Sequence, residues 1–386
     1  MHCPFVPAEL EDFRDTLRDY AARRLLADYP RWKTEPYPRE RVVELGDLGV
    51  LGLCTPGEYG GSAGAGGGYL ALGVAAEEIA RGDFNVTYFL QLGTIACRLL
   101  ELSDTEALKQ RWIPSIASGE SIAAFALTEP SVGSDAVRLS CSARREGDEW
   151  VVRGEKASIT FAGSADLCIV FCRTGGAGAS GVSMVAVPLD LAGVTRQVYK
   201  SSTSHLTQRG SLFFDDVRVP LDHQLGAEGA GFVAAMQAFD FNRAVIALAC
   251  VGAAAQSLDE TMAYVKGREA FGRALARHEG VAFQVAEHLA AVHAARLVAY
   301  EALALADEGR PHIAQAAMAK WLGPKSAAEA THAAVLLHGW SGFGDDLPLV
   351  QRLNDVMGLE VGDGTPEIMK GVIAREAMGR AYTAYR

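Results

Sequence analysis

The sequence predicts a mainly α protein with a central β domain. An N-terminal helical domain is expected over residues 1–119, a middle antiparallel β-barrel or sandwich over 120–227, and a C-terminal four-helix bundle over 228–386. Three observations predict it. Apolar residues recur at helical spacing up to about Ser118. Short branched and aromatic runs, punctuated by Gly, Asp and Pro, then occupy 120–226. From Gly229 onward strand-like runs vanish. At 386 residues the chain exceeds what a single core serves, so two or three domains fit its length.

In the first block Leu10, Phe13, Leu17 and Tyr20 recur at helical spacing, as do Val42, Val43, Leu45 and Leu48. Residues 70–81 and 86–102 continue the pattern, with Ser103 or Thr105 as the cap of the helix that follows. Between them Pro56-Gly-Glu-Tyr-Gly-Gly61 and the run to Gly68 interrupt regular structure. These glycines make no phosphate loop, because no strand–glycine–helix unit has the fingerprint spacing. In the middle block 121–127, 150–155, 167–171, 182–187 and 211–219 read as strands, and 174–181 as a hairpin connection. Their spacing suits an antiparallel sheet rather than alternating βαβ units. In the last block 232–266, 280–308, 313–337 and 347–357 read as helices with Ala at many contacts, which favours close packing in a bundle.

Composition narrows the function. Hydrophobic content of 49% with 22% charged residues is an ordinary globular balance, and a net charge of -11 argues against a nucleic-acid partner. No secretory signal opens the chain and no apolar run reads as a bilayer span, so a cytoplasmic protein with no membrane partner is expected. The seven cysteines show no framework spacing and are expected as reduced thiols. Cys168 and Cys172 lack a nearby His, and His288 and His293 are five apart, so no metal site is expected.

The most informative stretch is Phe125-Ala-Leu-Thr-Glu-Pro-Ser-Val-Gly-Ser-Asp135. A buried strand there ends by exposing backbone amides and the hydroxyls of Thr128 and Ser134, groups suited to a flat hydrogen-bonding ligand. Taken alone, it reads sooner as an ordinary strand-to-turn exit.

The order helical, β, helical bundle, together with six local motifs, resembles the flavin-dependent acyl-CoA dehydrogenase family over essentially the whole chain. The motifs are Pro56-Gly-Glu-Tyr-Gly-Gly61, Leu127-Thr-Glu-Pro-Ser-Val-Gly-Ser-Asp135, Phe213-Phe-Asp-Asp-Val-Arg-Val-Pro220, Leu225-Gly-Ala-Glu-Gly-Ala-Gly-Phe232, Arg268-Glu-Ala-Phe-Gly-Arg273 and Gly362-Asp-Gly-Thr-Pro-Glu-Ile368. The resemblance implies FAD as cofactor and oxidation of an acyl thioester to its α,β-unsaturated product. A base takes the α-proton while the β-hydrogen leaves as hydride, and donors polarise the thioester carbonyl. It implies that the flavin rests against Phe125, Leu127 and Thr128, with Gly133 and Ser134 near the pyrophosphate and Ser158 and Thr160 beside the ring. Arg268 and Phe271 would serve the cofactor of a neighbouring subunit in a homodimer or homotetramer, and Thr365 and Glu367 the adenosine half. Phe239, Asp240 and Arg243, with Ser134, would line the substrate arm.

Departures from the family pattern carry the substrate question. The usual Glu base before Gly-Thr is Asp363 here, one methylene shorter, and its alternative reading is a cap for the helix starting near Pro366. Asn242 stands where some relatives place their base, leaving Glu360 as the reserve. Ser158 replaces a Trp and Phe161 an Asn, which implies a more open site or a bulkier acyl group; Leu336 and Trp340 replace a Gln and a Gly near the dinucleotide. A short, branched or cyclic acyl-CoA is the expected substrate, with an electron-transfer flavoprotein as partner. An acyl-carrier-protein substrate and a flavin-binding member without dehydrogenase activity are the alternatives.

Overall fold

The computed structural model describes residues 3–200 and 205–382. Met1 and His2, part of the N-terminal segment read above, lie outside them. Five helices open the chain: α1 (Glu11–Tyr20), α2 (Arg39–Asp47), α3 (Tyr69–Gly82), α4 (Thr87–Leu100) and α5 (Glu106–Ala117). Thr105 is the N-cap of α5, yet its side chain does not cap; its own N–H donates to Ser103 Oγ at 3.1 Å. The glycine-rich stretch before α3 holds one 3-10 turn, Gly57–Tyr59.

Eight strands follow: β1 (Ala123–Ala126), β2 (Ser142–Glu146), β3 (Glu149–Ile159), β4 (Leu167–Arg173), β5 (Val182–Pro188), β6 (Val194–Val198), β7 (Gly210–Pro220) and β8 (Gln224–Leu225). They form one sheet in the order β6-β7-β3-β2-β4-β5-β8, with β1 paired to β4. Pairing is antiparallel except β1–β4 and β2–β4. Strands β2 and β6 escaped the sequence reading because Ser142-Ala-Arg-Arg-Glu146 and Val194-Thr-Arg-Gln-Val198 expose charged side chains and lack a continuous apolar run.

The bundle comprises α6 (Gly231–Gly267), α7 (Glu279–Asp307), α8 (Ile313–His338), α9 (Trp340–Phe343), α10 (Leu349–Val361) and α11 (Pro366–Met378). A hairpin of β9 (Glu269–Ala270) and β10 (Arg273–Ala274) separates α6 from α7. Ala244, Ala247, Ala249, Ala253 and Ala254 are fully buried on α6, and Gly323 on α8 sits so close to it that a Cβ would lie 2.6 Å from Ala247 Cβ. Small side chains thus set the α6–α8 separation.

One expectation is corrected. Both α6 and α7 are long and apolar enough to cross a membrane by length and composition. The apolar window of α6 is 89% buried inside the protein, which identifies a core helix; that of α7 is 33% buried. Asp240 and Arg243 on one side of the apolar run of α6 and Asp259 and Glu260 on the other hid it from a reading of the sequence.

Candidate active site

Strand β1 delivers its C-terminal end to a loop fixed by a buried ion pair. Lys156 Nζ donates to Glu129 Oε1 at 2.9 Å and to Leu127 O at 3.0 Å. Glu129 also accepts from the Ser140 and Cys141 N–H groups, each at 2.8 Å, and from Ser140 Oγ–H. Burial pushes the Glu129 carboxyl up, but Lys156 and the two amides overcome this and hold it below the usual carboxylate range. The Ala157 N–H donates to Thr128 O at 2.9 Å, bringing β1's exit against β3. Phe125, half-buried, packs on Phe171 at 4.7 Å and on Phe239 of α6 at 5.3 Å. Leu127 is buried, whereas Gly133 and Ser134 lie exposed in the turn beyond.

The β3–β7 register shifts between Lys156 and Ile159, and Ser158 occupies this bulge with φ 58°. Such bulges re-aim side chains beside binding sites, and period-two patterning gives no warning of them. Ser158 is exposed; its N–H donates to Tyr199 Oη at 3.4 Å, and its carbonyl accepts from Arg209 at 3.3 Å. Phe161 does not open the site. It is fully buried and stacks on Phe89 at 4.5 Å.

On α6, Arg243 Nη1 donates to Asp240 Oδ1 at 3.0 Å and its guanidinium lies 5.9 Å from the Phe239 ring. Burial depresses the Arg243 guanidinium, with Asp240 and Asp363 opposing. Burial likewise raises the Asp240 carboxyl against the pull of Arg243. Arg243 Nε and Asn242 Oδ1 are buried polar atoms with no hydrogen-bond partner among the described residues. Such orphans need an explanation, and a polar ligand supplies one.

Asp363 sits between α10 and α11 with φ 56°, followed by Gly364 at φ 107°. That φ of 107° is what requires glycine there; a Cβ would also meet Met369 Cε at 2.6 Å, the movable end of a flexible side chain. Asp is among the few residues that tolerate the left-handed region. The capping reading for Asp363 fails. Thr365 is the N-cap of α11, its hydroxyl accepting from the Ile368 N–H at 3.4 Å. Asp363 is exposed in the chain as described and makes no hydrogen bond with the described residues, while Glu360 is half-buried in the last turn of α10. Glu367 is exposed, 3.8 Å from Lys370.

Two residues that sequence reasoning missed join Asp363. Lys320 of α8 is 2% exposed, and burial depresses its ammonium while Asp363 opposes. Tyr88 of α4 is buried, which pushes its phenol well up; Arg209 opposes and Asp363 adds to it. No motif marks either one, because each sits in a helical apolar pattern.

The structure therefore brings Phe125, Phe239, Arg243 and Asp363 into one region. Arg268 and Phe271 are not among them. From Arg243 to Arg268 along and just past α6 is about 37 Å at 1.5 Å per residue. Phe271 tips the β9–β10 hairpin, 97% exposed with φ 54°. A cavity of about 380 Å3 between α1, α3, α6 and α7 contains none of these residues; Glu77, Glu78 and Asp259 on its wall are ion-paired with Arg296, Arg18 and Arg81.

The residues present fit a flavin. The hydroxyls of Thr128, Ser134 and Thr160 are hydrogen-bonded to no described residue, and Phe125 offers a half-open aromatic face. Free hydroxyl donors and an open aromatic face are the groups that a flat, hydrogen-bonding ring system takes up.

Comparisons with known proteins cover the whole chain. The models for the acyl-CoA dehydrogenase N-terminal, middle and C-terminal domains match residues 7–120, 124–217 and 229–378. The human mitochondrial short-chain specific acyl-CoA dehydrogenase is 37% identical, covering 96% of this chain and 89% of its own. The butyryl-CoA dehydrogenase structure from Megasphaera elsdenii matches with a TM-score of 0.93 at 29% identity, over 97% of this chain and 99% of that one. A Mycobacterium smegmatis glutaryl-CoA dehydrogenase in complex with FADH2 matches with a TM-score of 0.92 at 26% identity, over 99% and 97%.

Proposed function

The chain belongs to the acyl-CoA dehydrogenase family and is an FAD-dependent enzyme of it, and we propose that it desaturates a short, branched or cyclic acyl-CoA with Asp363 as the base. The observation that carries the reading is the free carboxylate of Asp363. Thr365 does the helix capping, so nothing in the turn consumes Asp363.

Phe125, Leu127, Thr128, Gly133, Ser134, Ser158 and Thr160 would hold FAD, with Thr365 and Glu367 toward the adenosine end. FAD, when bound, supplies the acceptor to which the β-hydrogen leaves as hydride. Asp363 removes the α-proton, and the Asp363 N–H donates to the thioester carbonyl as negative charge grows there. Phe239, Asp240 and Arg243 line the substrate arm, where Arg243 Nε has a donor to spare. Phe125 and Leu127 keep water from the reacting carbons.

The family resemblance assigns Arg268 and Phe271 to the cofactor of a neighbouring subunit, and the length of α6, which carries them away from their own Asp363, is compatible with that role. A homodimer, or a pair of such dimers, is the assembly this reading proposes. An electron-transfer flavoprotein takes up the electrons afterwards. The short-chain assignment leans on the 37% identity to the human short-chain specific relative.

Anaerobic mixing of the FAD-loaded enzyme with a panel of acyl-CoA thioesters tests the reading. Bleaching of the yellow colour by short or branched members is expected, and Asp363→Asn should bind them without bleaching. Asp363→Asn that still turns over removes the base assignment. Bleaching only by an acyl-carrier thioester moves the substrate class, and bleaching by nothing in the panel overturns the activity.

A further inference from the structure

Between the last turn of α10 and the first of α11 lie only four residues, 362–365, and they carry Asp363 in a left-handed conformation. A carboxylate there is useful only if the turn holds one geometry. Gly362 N–H closes onto Gly358 O at 3.0 Å, and the Thr365 cap secures the far side. Neither bond ties the two sides together. Lys320 does: its Nζ donates to Leu359 O at 2.6 Å and to Gly364 O at 3.0 Å. Leu359 O belongs to the final turn of α10, whose carbonyls lack helical partners, and a cation there also suits the helix dipole.

We propose that Lys320 is a positioning residue for the reaction, an ammonium clamp from α8 that fixes the 359–364 turn and so the placement of the Asp363 carboxylate and N–H. Burying an ammonium is costly, and two carbonyls alone are a modest return for it. Asp363 eases that cost only in part, because its carboxylate is exposed to solvent and makes no direct bond to Lys320. The inference rests on Asp363 being the base.

The test separates the two ideas. Asp363→Asn alone decides the base reading. Lys320→Met keeps the length of the side chain and removes its charge and donors. It should retain FAD and bind acyl-CoA within about threefold of wild type, yet lose about 100-fold in kcat, the scale expected for a reacting group displaced by about 1 Å. In the Asp363→Asn background Lys320→Met should change residual turnover no further. A second readout isolates proton removal: solvent deuterium exchange into acetyl-CoA, which has α-hydrogens and no β-carbon. Exchange should fall in parallel with kcat. Should Lys320→Met give no folded holoenzyme, Lys320→Gln, which keeps one amide donor, is read in the same way. Unchanged kcat and exchange in a folded Lys320 variant, with Asp363→Asn inactive, overturns the clamp and leaves the base standing. An equal loss on top of Asp363→Asn also overturns it, because the effect then does not pass through Asp363.

Discussion

Lys156 Nζ and Glu129 Oε1 meet at 2.9 Å with both side chains buried, and the same ammonium grips the carbonyl of Leu127, the residue on which the strand exit turns. The pair is therefore a brace for the predicted flavin loop. Removing one partner strands the other in a medium where it cannot be hydrated. Glu129→Gln should cost about 3 kcal/mol of stability and weaken FAD binding, measured by denaturant titration and by FAD titration of the apoprotein.

The same pair fixes a pH dependence. The folded-state value of Glu129 lies below its unfolded one, so its contribution is fully present above the unfolded value and is lost as pH falls through the folded one. The gap in stability between wild type and Glu129→Gln should thus narrow in acid, below about pH 4. A gap independent of pH would place the cost in packing.

Asp83 predicts the opposite trend. Burial first, then the charge of Asp355, pushes its carboxyl up to about 8. Its Oδ1 accepts the Asn85 N–H, while Oδ2 is buried without a partner, where an ionised oxygen would be costlier still than a protonated one. A raised carboxyl stabilises the fold fully below the unfolded value, near 4, and loses that contribution as pH rises to about 8. Asp83→Asn keeps the acceptor and removes the titration. Relative to wild type it should gain stability as pH rises from about 5 to 9, read by thermal melts across that range.

Much of this was legible in the sequence, and the reasons for the rest are physical. Long Ala-rich stretches such as α6 and α8 announce a bundle, and apolar runs such as Leu167–Arg173 announce buried strands. Strands with charged faces, β2 and the edge strand β6, carry no such pattern. Of the site, the loop at Phe125 and the turn at Asp363 were readable because their chemistry is written in one short stretch. Lys156, Lys320 and Tyr88 were not. The two lysines are buried through bonds to residues far along the chain, and a lone polar residue inside an apolar pattern reads as surface until its partners are known.

The cap at α11 separates two roles that the sequence left joined. Thr365→Ala should cost about 1 kcal/mol, the usual worth of a helix cap. Asp363→Asn should leave stability nearly unchanged, since Asn tolerates the left-handed backbone as well as Asp does. A melt in which Asp363→Asn loses as much as Thr365→Ala would return Asp363 to a structural role.

The hairpin tip sets stability against assembly. Phe271 and Gly272 both have positive φ, 54° and 76°, the pattern of a two-residue hairpin turn in which Asn-Gly is favoured and a bulky aromatic is disfavoured. Phe271 also leaves 97% of its surface to solvent, so within its own chain it gains little from burial. A residue that is unfavourable in its backbone and meets its own subunit only through an edge contact with the His278 ring at 6.2 Å is expected to be useful elsewhere, and the neighbouring cofactor site is where Arg268 and Phe271 are proposed to act. Phe271→Asn should therefore stabilise the isolated chain, by up to about 1 kcal/mol, while weakening FAD retention and subunit association. Denaturant titration of the apoprotein, FAD titration and sedimentation of the holoenzyme measure the three effects. If FAD retention and association are untouched by Phe271→Asn, the hairpin serves no neighbour.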